Sequence, residues 1–320
     1  MPGRDLLSGI LVIDKPSGPT SFDVVRRVRT LLKVKKAGHT GTLDPIATGV
    51  LPICIGDSTK LASYVTEGEK EYECTVRFGE STDTQDSAGK TLETKPVDGL
   101  TSEKIEAALG AFRGEIDQLT PMYSARKVDG KRLYELAREG KEVERKTSKI
   151  TIDEARLDSF ALPDAKIFIR SSKGAYMRTL AHDLGAALGT GAHLKSLRRV
   201  RTGPFTLEGA IALDVLMKLA QEGRRDEIER HLFPPHVALS ELAELRLDER
   251  MVRQVLHGRA LNPSDLVRLK APPLPRGRRV RIAGPEGEVL AVGESDGMGT
   301  VKLLRVLAHG GADDADAGDA

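Results

Sequence analysis

The 320-residue sequence has no tryptophan, only two cysteines, and no apolar run approaching the roughly eighteen residues that a membrane-spanning helix needs. Cys54 and Cys74 form no CxxC spacing and have no histidine cluster to join. This argues against a zinc site or a disulfide framework, and for buried free thiols in a reducing cytoplasm. The apolar stretch Leu11-Val12-Ile13 closes on Asp14-Lys15-Pro16 without a small-residue cleavage site, so no signal peptide is expected. Internal repeats are missing, and so is the Walker spacing with its Lys-Ser/Thr ending, which sets nucleotide hydrolysis aside. Net charge is also small: 49 Lys and Arg against 47 Asp and Glu leave +2. Four aspartates in the last ten residues, Asp313, Asp314, Asp316 and Asp319, conceal a mildly basic body at +6. A soluble cytoplasmic protein without a membrane partner is expected.

What is present reads as an irregular alternation of strands and helices, an α+β pattern. Gly9 to Ile13 is expected as a buried strand, and Thr20 and Ser21 as caps of a helix with Phe22, Val25, Val28 and Leu32 along its apolar stripe. Glu71 to Phe78 alternates cleanly and turns Tyr72, Cys74, Val76 and Phe78 to one face. Thr101 opens a second helix with Ile105, Ala108, Leu109 and Phe112 on one side and Gly114 placed to end it. A short helix around Leu133, Leu136 and Ala137, strands at 150–157 and 166–171, and a helix from Tyr176 to about Leu188 follow. Beyond Phe233-Pro234-Pro235 the pattern changes to short strands, such as 280–282 and 289–292, around an exposed Pro/Arg-rich loop from Ala271 to Arg279. The expected division is 1–235, a small β-rich unit over 240–309, and a disordered acidic tail over 310–320.

The chemistry concentrates in residues 38–51, Gly-His-Thr-Gly-Thr-Leu-Asp-Pro-Ile-Ala-Thr-Gly-Val-Leu, a shaped loop dense in glycine and hydroxyls. Taken alone, Asp44-Pro45 is also what a helix start looks like, with Asp as the N-cap and Pro at the first helical position. Two segments beside this loop are basic and free of acid. Residues 24–43 carry Arg26, Arg27, Arg29, Lys33, Lys35 and Lys36, and residues 184–207 carry Lys195, Arg198, Arg199 and Arg201. Together they predict a positive groove for phosphates.

Residues 38–51 resemble, almost letter for letter, the signature loop of the bacterial tRNA pseudouridine synthase B (TruB) family. Leu11 to Pro16, Pro121-Met-Tyr-Ser-Ala-Arg-Lys, Ser172-Lys-Gly-Ala-Tyr-Met-Arg-Thr and Gly191-Ala-His-Leu-Lys-Ser-Leu-Arg-Arg are similar to four further family motifs in the same order. The resemblance covers residues 9 to about 215, and the remainder resembles the family's PUA-type RNA-binding domain. It implies a pseudouridine synthase fold, with a mixed, largely antiparallel sheet flanked by helices, and Asp44 as the catalytic carboxylate. His39, Tyr72, Tyr176 and Leu197 would line a uridine pocket, and Arg178 would pair with Asp44. Backbone contacts would fall to Lys15, Arg26, Lys35, Lys36, Lys127, Arg198 and Arg199.

The implied reaction detaches uracil at N1 and rejoins it through C5, so no cofactor or metal is called for. The implied partner is tRNA, with its T-loop uridine 55 flipped out and its acceptor end near the C-terminal unit. The protein is expected to act as a monomer. A tRNA-folding chaperone whose catalysis is dispensable is the alternative of another class.

Overall fold

The computed structural model describes residues 7–124, 126–128, 131–133 and 143–307, with the backbone alone at 127, 128, 131 and 132. The expected helix near Leu136, the side chain of Lys127 and the acidic tail lie outside the described residues.

In chain order the larger unit runs β1 (Gly9–Lys15), α1 (Ser21–Leu32), β2 (Ala37–His39), β3 (Thr48–Ile55), α2 (Ala62–Glu67) and β4 (Lys70–Phe78). It continues through α3 (Ser102–Gly110), β5 (Gly114–Leu119), β6 (Thr147–Ala161), β7 (Asp164–Ser171), α4 (Met177–Ala187), β8 (Ala192–Thr202), β9 (Ile211–Ala212) and α5 (Leu213–Gln221). The strands form one eleven-stranded sheet along the path β9-β1-β3-β8-β4-β7-β6-β5, with β2 on β3 and two short strands, Phe205–Thr206 and Leu232–Phe233, on β8 and β1. The pairs β1/β9 and β3/β8 are parallel and the others antiparallel. The mixed sheet expected for the fold class is therefore present.

β1 and β3 read as unbroken apolar runs because both of their faces are covered. Leu11, Ile13, Leu51 and Ile53 face the main core, while Ile10, Val12, Val50 and Cys54 face a smaller one with Val65 and Phe205. β4 alternates instead: Tyr72, Cys74, Val76 and Phe78 are buried, and Glu71, Thr75 and Arg77 are partly open. The two free thiols are both buried, and desolvation pushes that of Cys54 up to about 12.

Local signals and structure part company at three points. In α1 the buried positions are Ser21, Val24, Val25 and Val28, whereas Phe22 is 68% exposed. Thr20 caps this helix reciprocally with Asp23. α3 ends at Gly110, and Gly114, at φ +89°, opens β5 rather than closing the helix. Tyr176 is the N-cap of α4, not its first turn.

A second sheet of four strands carries the C-terminal unit: β10 (Ala243–Arg246), β11 (Arg279–Ala283), β12 (Val289–Ser295) and β13 (Val301–Val306). Two short helices, α6 (Glu249–Leu256) and α7 (Pro263–Arg268), accompany it, and Met251, Val255, Val280, Ile282 and Leu290 share its core. Leu61 and Tyr64 of the larger unit meet Leu239, Val289, Val292 and Leu307 in a separate apolar cluster that joins the two units. No helix among the described residues is long and apolar enough to cross a membrane.

Candidate active site

One row of residues runs across the middle of the large sheet. Lys15 pairs with Gly49, Gly49 with Arg199, and Arg199 with Tyr72, on β1, β3, β8 and β4 in turn. The loop from Thr40 to Ala47 rises beside this row. Gly49 is required there: its φ is +101°, and a Cβ would stand 2.1 Å from the Arg199 carbonyl oxygen.

Fixed hydrogen bonds hold the loop on both sides of Asp44. The Ser21 hydroxyl donates to the Leu43 carbonyl at 3.0 Å and accepts from the Leu43 amide at 2.8 Å, while the Gly18 amide donates to Pro45 O at 2.8 Å. Asp44 is not a helix cap. Its carbonyl accepts from the Ala47 amide at 3.0 Å, closing a turn with Pro45 in the second position, which leaves the carboxylate free for a partner.

That partner is Arg178, 3% exposed on the first turn of α4, whose Nε donates to Asp44 Oδ2 at 2.8 Å. The pair rests on this one bond, because the other guanidinium nitrogens are already engaged. Nη1 donates to Thr84 O at 3.1 Å and Nη2 to Tyr123 O at 2.6 Å. With three acceptors on three segments, the guanidinium has one available orientation. The Asp44 side chain keeps 35% of its surface open, so the carboxylate is held from behind and presented outward.

A second carboxylate stands nearby. Asp86 Oδ2 lies 3.8 Å from Arg178 Nε, and its Oδ1 accepts from Thr84 Oγ1 at 2.6 Å and from the Ala88 amide at 3.0 Å. Sequence reading passed over Asp86 and Thr84. Their signal was available in the polar, turn-forming run Ser81-Thr-Asp-Thr-Gln-Asp-Ser-Ala-Gly89, which has the density that marked residues 38–51.

Two residues expected at phosphates are instead inside the protein. Lys15 is fully buried, and its Nζ donates to Ala47 O at 2.7 Å, Pro16 O at 3.0 Å and Pro45 O at 3.4 Å. Arg199, 1% exposed, donates to Val50 O at 2.7 Å and Gly41 O at 3.1 Å. Both cations fasten the Asp44 loop by its carbonyls and are corrected from RNA contacts to scaffold. Burial outweighs the attraction of Asp44 and brings the Lys15 pKa down to about 8. Lys70, donating to Thr66 O and Gly68 O, is brought to about 8 in the same way.

Tyr72 is 6% exposed, and its phenol is held above its ordinary pKa by burial, with Arg199 opposing the shift. Leu197 is 7% exposed and registers with Cys74, with its carbonyl bound by Thr48 Oγ1 at 3.3 Å. Tyr176 is half-buried, its amide and carbonyl both fixed by the Gln118 side chain at 2.7 and 3.0 Å. His39 is partly buried, its Nδ1 has no hydrogen-bond partner, and desolvation lowers its pKa. Burial favours the neutral ring, and the unpartnered Nδ1 is shielded from solvent. No cluster of three or more metal-ligating side chains occurs among the described residues.

The two basic segments differ once folded. In the second, Lys195 pairs with Asp164, Arg198 with Asp14 and Arg201 with Glu71, and Arg199 is buried. Acids distant in sequence neutralise it, so no positive groove is built there. In the first, Arg26, Arg27, Arg29, Lys33, Lys35 and Lys36 are all exposed. Among the described residues, only Arg26 of the six lies within salt-bridge distance of a carboxylate, that of Asp23.

Comparison with known proteins adds to this geometry. Residues 29–177 match the TruB family pseudouridylate synthase N-terminal domain, and residues 178–240 match the tRNA pseudouridylate synthase B C-terminal domain. The two matches meet inside α4, and their strands share one sheet. The chain is 41% identical to the tRNA pseudouridine synthase B of Saccharophagus degradans over 96% of this chain and 98% of that one. It is 45% identical to that of Burkholderia pseudomallei over 90% and 93%. Among solved structures, one from a Cbf5-Nop10-Gar1 complex superposes with a TM-score of 0.72 at 25% identity, covering 94% of this chain and 85% of the other. One from an archaeal Nop10-Cbf5 complex superposes at 0.69 and 24%.

Proposed function

Since this chain belongs to the TruB family of pseudouridylate synthases, we propose that it isomerises uridine 55 in the T-loop of tRNA, with Asp44 as the catalytic carboxylate. The observation that carries this reading is the half-open Asp44 carboxylate, held in one orientation by the buried Arg178. Breaking the bond from ribose to N1 leaves an electron-poor sugar carbon and a detached uracilate. A fixed carboxylate at the mouth of the loop can attack or electrostatically support that carbon without reorganising. Tyr72, Leu197 and Tyr176 provide apolar and aromatic surface for a flipped base, and a base stacked on an aromatic ring gains about 1–3 kcal/mol against the cost of extrusion. His39, kept neutral by burial, would position the nucleoside rather than move its proton.

Lys35 and Lys36 are open for phosphate contact, while Arg26 and Arg198 are partly neutralised by Asp23 and Asp14. Arg276, Arg278 and Arg279, exposed on the C-terminal unit, would meet the tRNA near its acceptor end. A cytoplasmic enzyme acting as a monomer on tRNA alone completes the reading.

The test is to incubate the purified chain with an unmodified tRNA transcript tritiated at uridine C5 and to map the product. One equivalent of tritium should be released and pseudouridine should appear at position 55, and a transcript with cytidine at 55 should release none. Pseudouridine at another position would overturn the assignment of the site, and refolding of tRNA without tritium release would favour a chaperone.

A further inference from the structure

α1 presents an exposed row of which only Arg26 has so far been given a use. At about 100° per residue, Phe22, Arg26 and Arg29 fall within an arc of roughly 60° on the helix surface, and Lys33, the left-handed C-cap, follows directly at its end. The burial agrees. Phe22 is 68% exposed, the Arg26 side chain 71%, and Arg29 and Lys33 are open, while Val24, Val25 and Val28 are buried behind them. The row starts at the loop, since Ser21, next to Phe22, is hydrogen-bonded to Leu43. Its far end leads through exposed Lys35 and Lys36 into β2, which returns to the loop at His39. The one acid on this side, Asp23, is occupied by the Thr20 cap and by Arg26.

We propose that this face of α1 docks the RNA substrate, with Arg29 and Lys33 on successive phosphates and Phe22 stacked on a base unstacked from the loop that enters the Asp44 site. The proposal rests on the functional reading above and assigns it a track and an aromatic contact. The partner is chosen by charge complementarity. Five of the six cations between residues 24 and 43 have no carboxylate within salt-bridge distance among the described residues, which suits a polyanion and not an acid-balanced protein surface. The row is about 16 Å long at 1.5 Å per residue, enough for more than one phosphate of a strand. An aromatic ring left in water at the start of such a track is what a strand with splayed bases stacks on. Arg29 and Lys33 also complement the C-terminal end of the helix dipole, a purely structural role that would show in thermal stability and not in RNA binding.

The experiment measures tRNA affinity across a salt series, single-turnover rate and melting temperature for the full chain, F22A, R29A/K33A and R29K/K33R. The double alanine variant should lower the slope of log K against log salt by about 1.4–1.8, two contacts at roughly 0.7–0.9 each, and R29K/K33R should restore it. F22A should weaken binding about five-fold or more with the slope unchanged, the lower end of what one stacked base contributes. The rate at saturating RNA should hold in all three. Wild-type affinity and slope in both F22A and R29A/K33A would overturn the proposal, as would variants that changed only melting temperature or self-association in sedimentation. A wild-type chain that binds tRNA with these dependences but makes no pseudouridine would sink the functional reading and leave the docking face supported.

Discussion

Replacing Arg178 by methionine should leave the shape of the site nearly intact and remove its organising charge. In the wild-type chain one guanidinium answers Asp44 at 2.8 Å, stands 3.8 Å from Asp86, and fills the carbonyls of Thr84 and Tyr123. Breaking a fully buried ion pair on one side costs about 3–5 kcal/mol. Asp44 keeps 35% of its side chain in solvent, so we scale this to about 2–3 kcal/mol. If the reacting geometry depends on that orientation, the single-turnover rate falls about 30- to 150-fold at roughly 1.4 kcal/mol per decade. R178K keeps the charge but lacks the fork that spans three acceptors, and should fall between the two. The assay is single-turnover tritium release from C5-labelled tRNA at saturating enzyme. Activity of R178M within about three-fold of wild type would refute the argument.

Other consequences follow from the same contacts. Lys15→Met, which strips the donor from three carbonyls, two of them in the Asp44 loop, should destabilise the protein by about 1–3 kcal/mol and slow turnover without abolishing it, as read by urea denaturation and single-turnover kinetics. Gly49→Ala should lower the denaturation midpoint by the equivalent of about 2–4 kcal/mol, because its Cβ has no space against Arg199 O and its backbone is left-handed; an unchanged midpoint would contradict this. Lys15 and Lys70 titrate near 8 in the folded chain and at 10.5 when unfolded, so between these values the unfolded state holds more protons and their contribution to stability grows as pH rises. Urea midpoints at pH 7.5 and 9.5 should therefore rise more for wild type than for Lys70→Met, and equal slopes would refute the shift.

The parts of the fold that sequence made legible are those where one face is buried and the other wet. β4 alternates because its partners cover one side only, so Tyr72 could be turned inward from period alone. The cap at Thr101 was equally local. Phe22 was misplaced because apolar spacing identifies a helix but not which edge of its stripe the core reaches. The buried cations were illegible for a different reason. Charge ordinarily marks surface, and only the assembled loop shows the carbonyls that Lys15 and Arg199 satisfy. β8 was read as a basic segment because its neutralising acids, Asp14, Glu71 and Asp164, come from β1, β4 and β7. At the site, Asp44 and Arg178 could be named from their motifs. Asp86 carried only the weaker signal of its polar, turn-forming run, and its place beside Arg178 comes from a 3.8 Å approach across the fold.

The account depends most on Asp44, and the direct measurement is single-turnover tritium release by Asp44→Asn with tRNA affinity measured in parallel. Asparagine keeps the size and removes the charge. Release should fall by at least about a thousand-fold, beyond the loss expected for a merely supporting group, while binding stays within a few-fold of wild type. Turnover within ten-fold of wild type, with tRNA still bound, would contradict the assignment of this carboxylate to the chemistry.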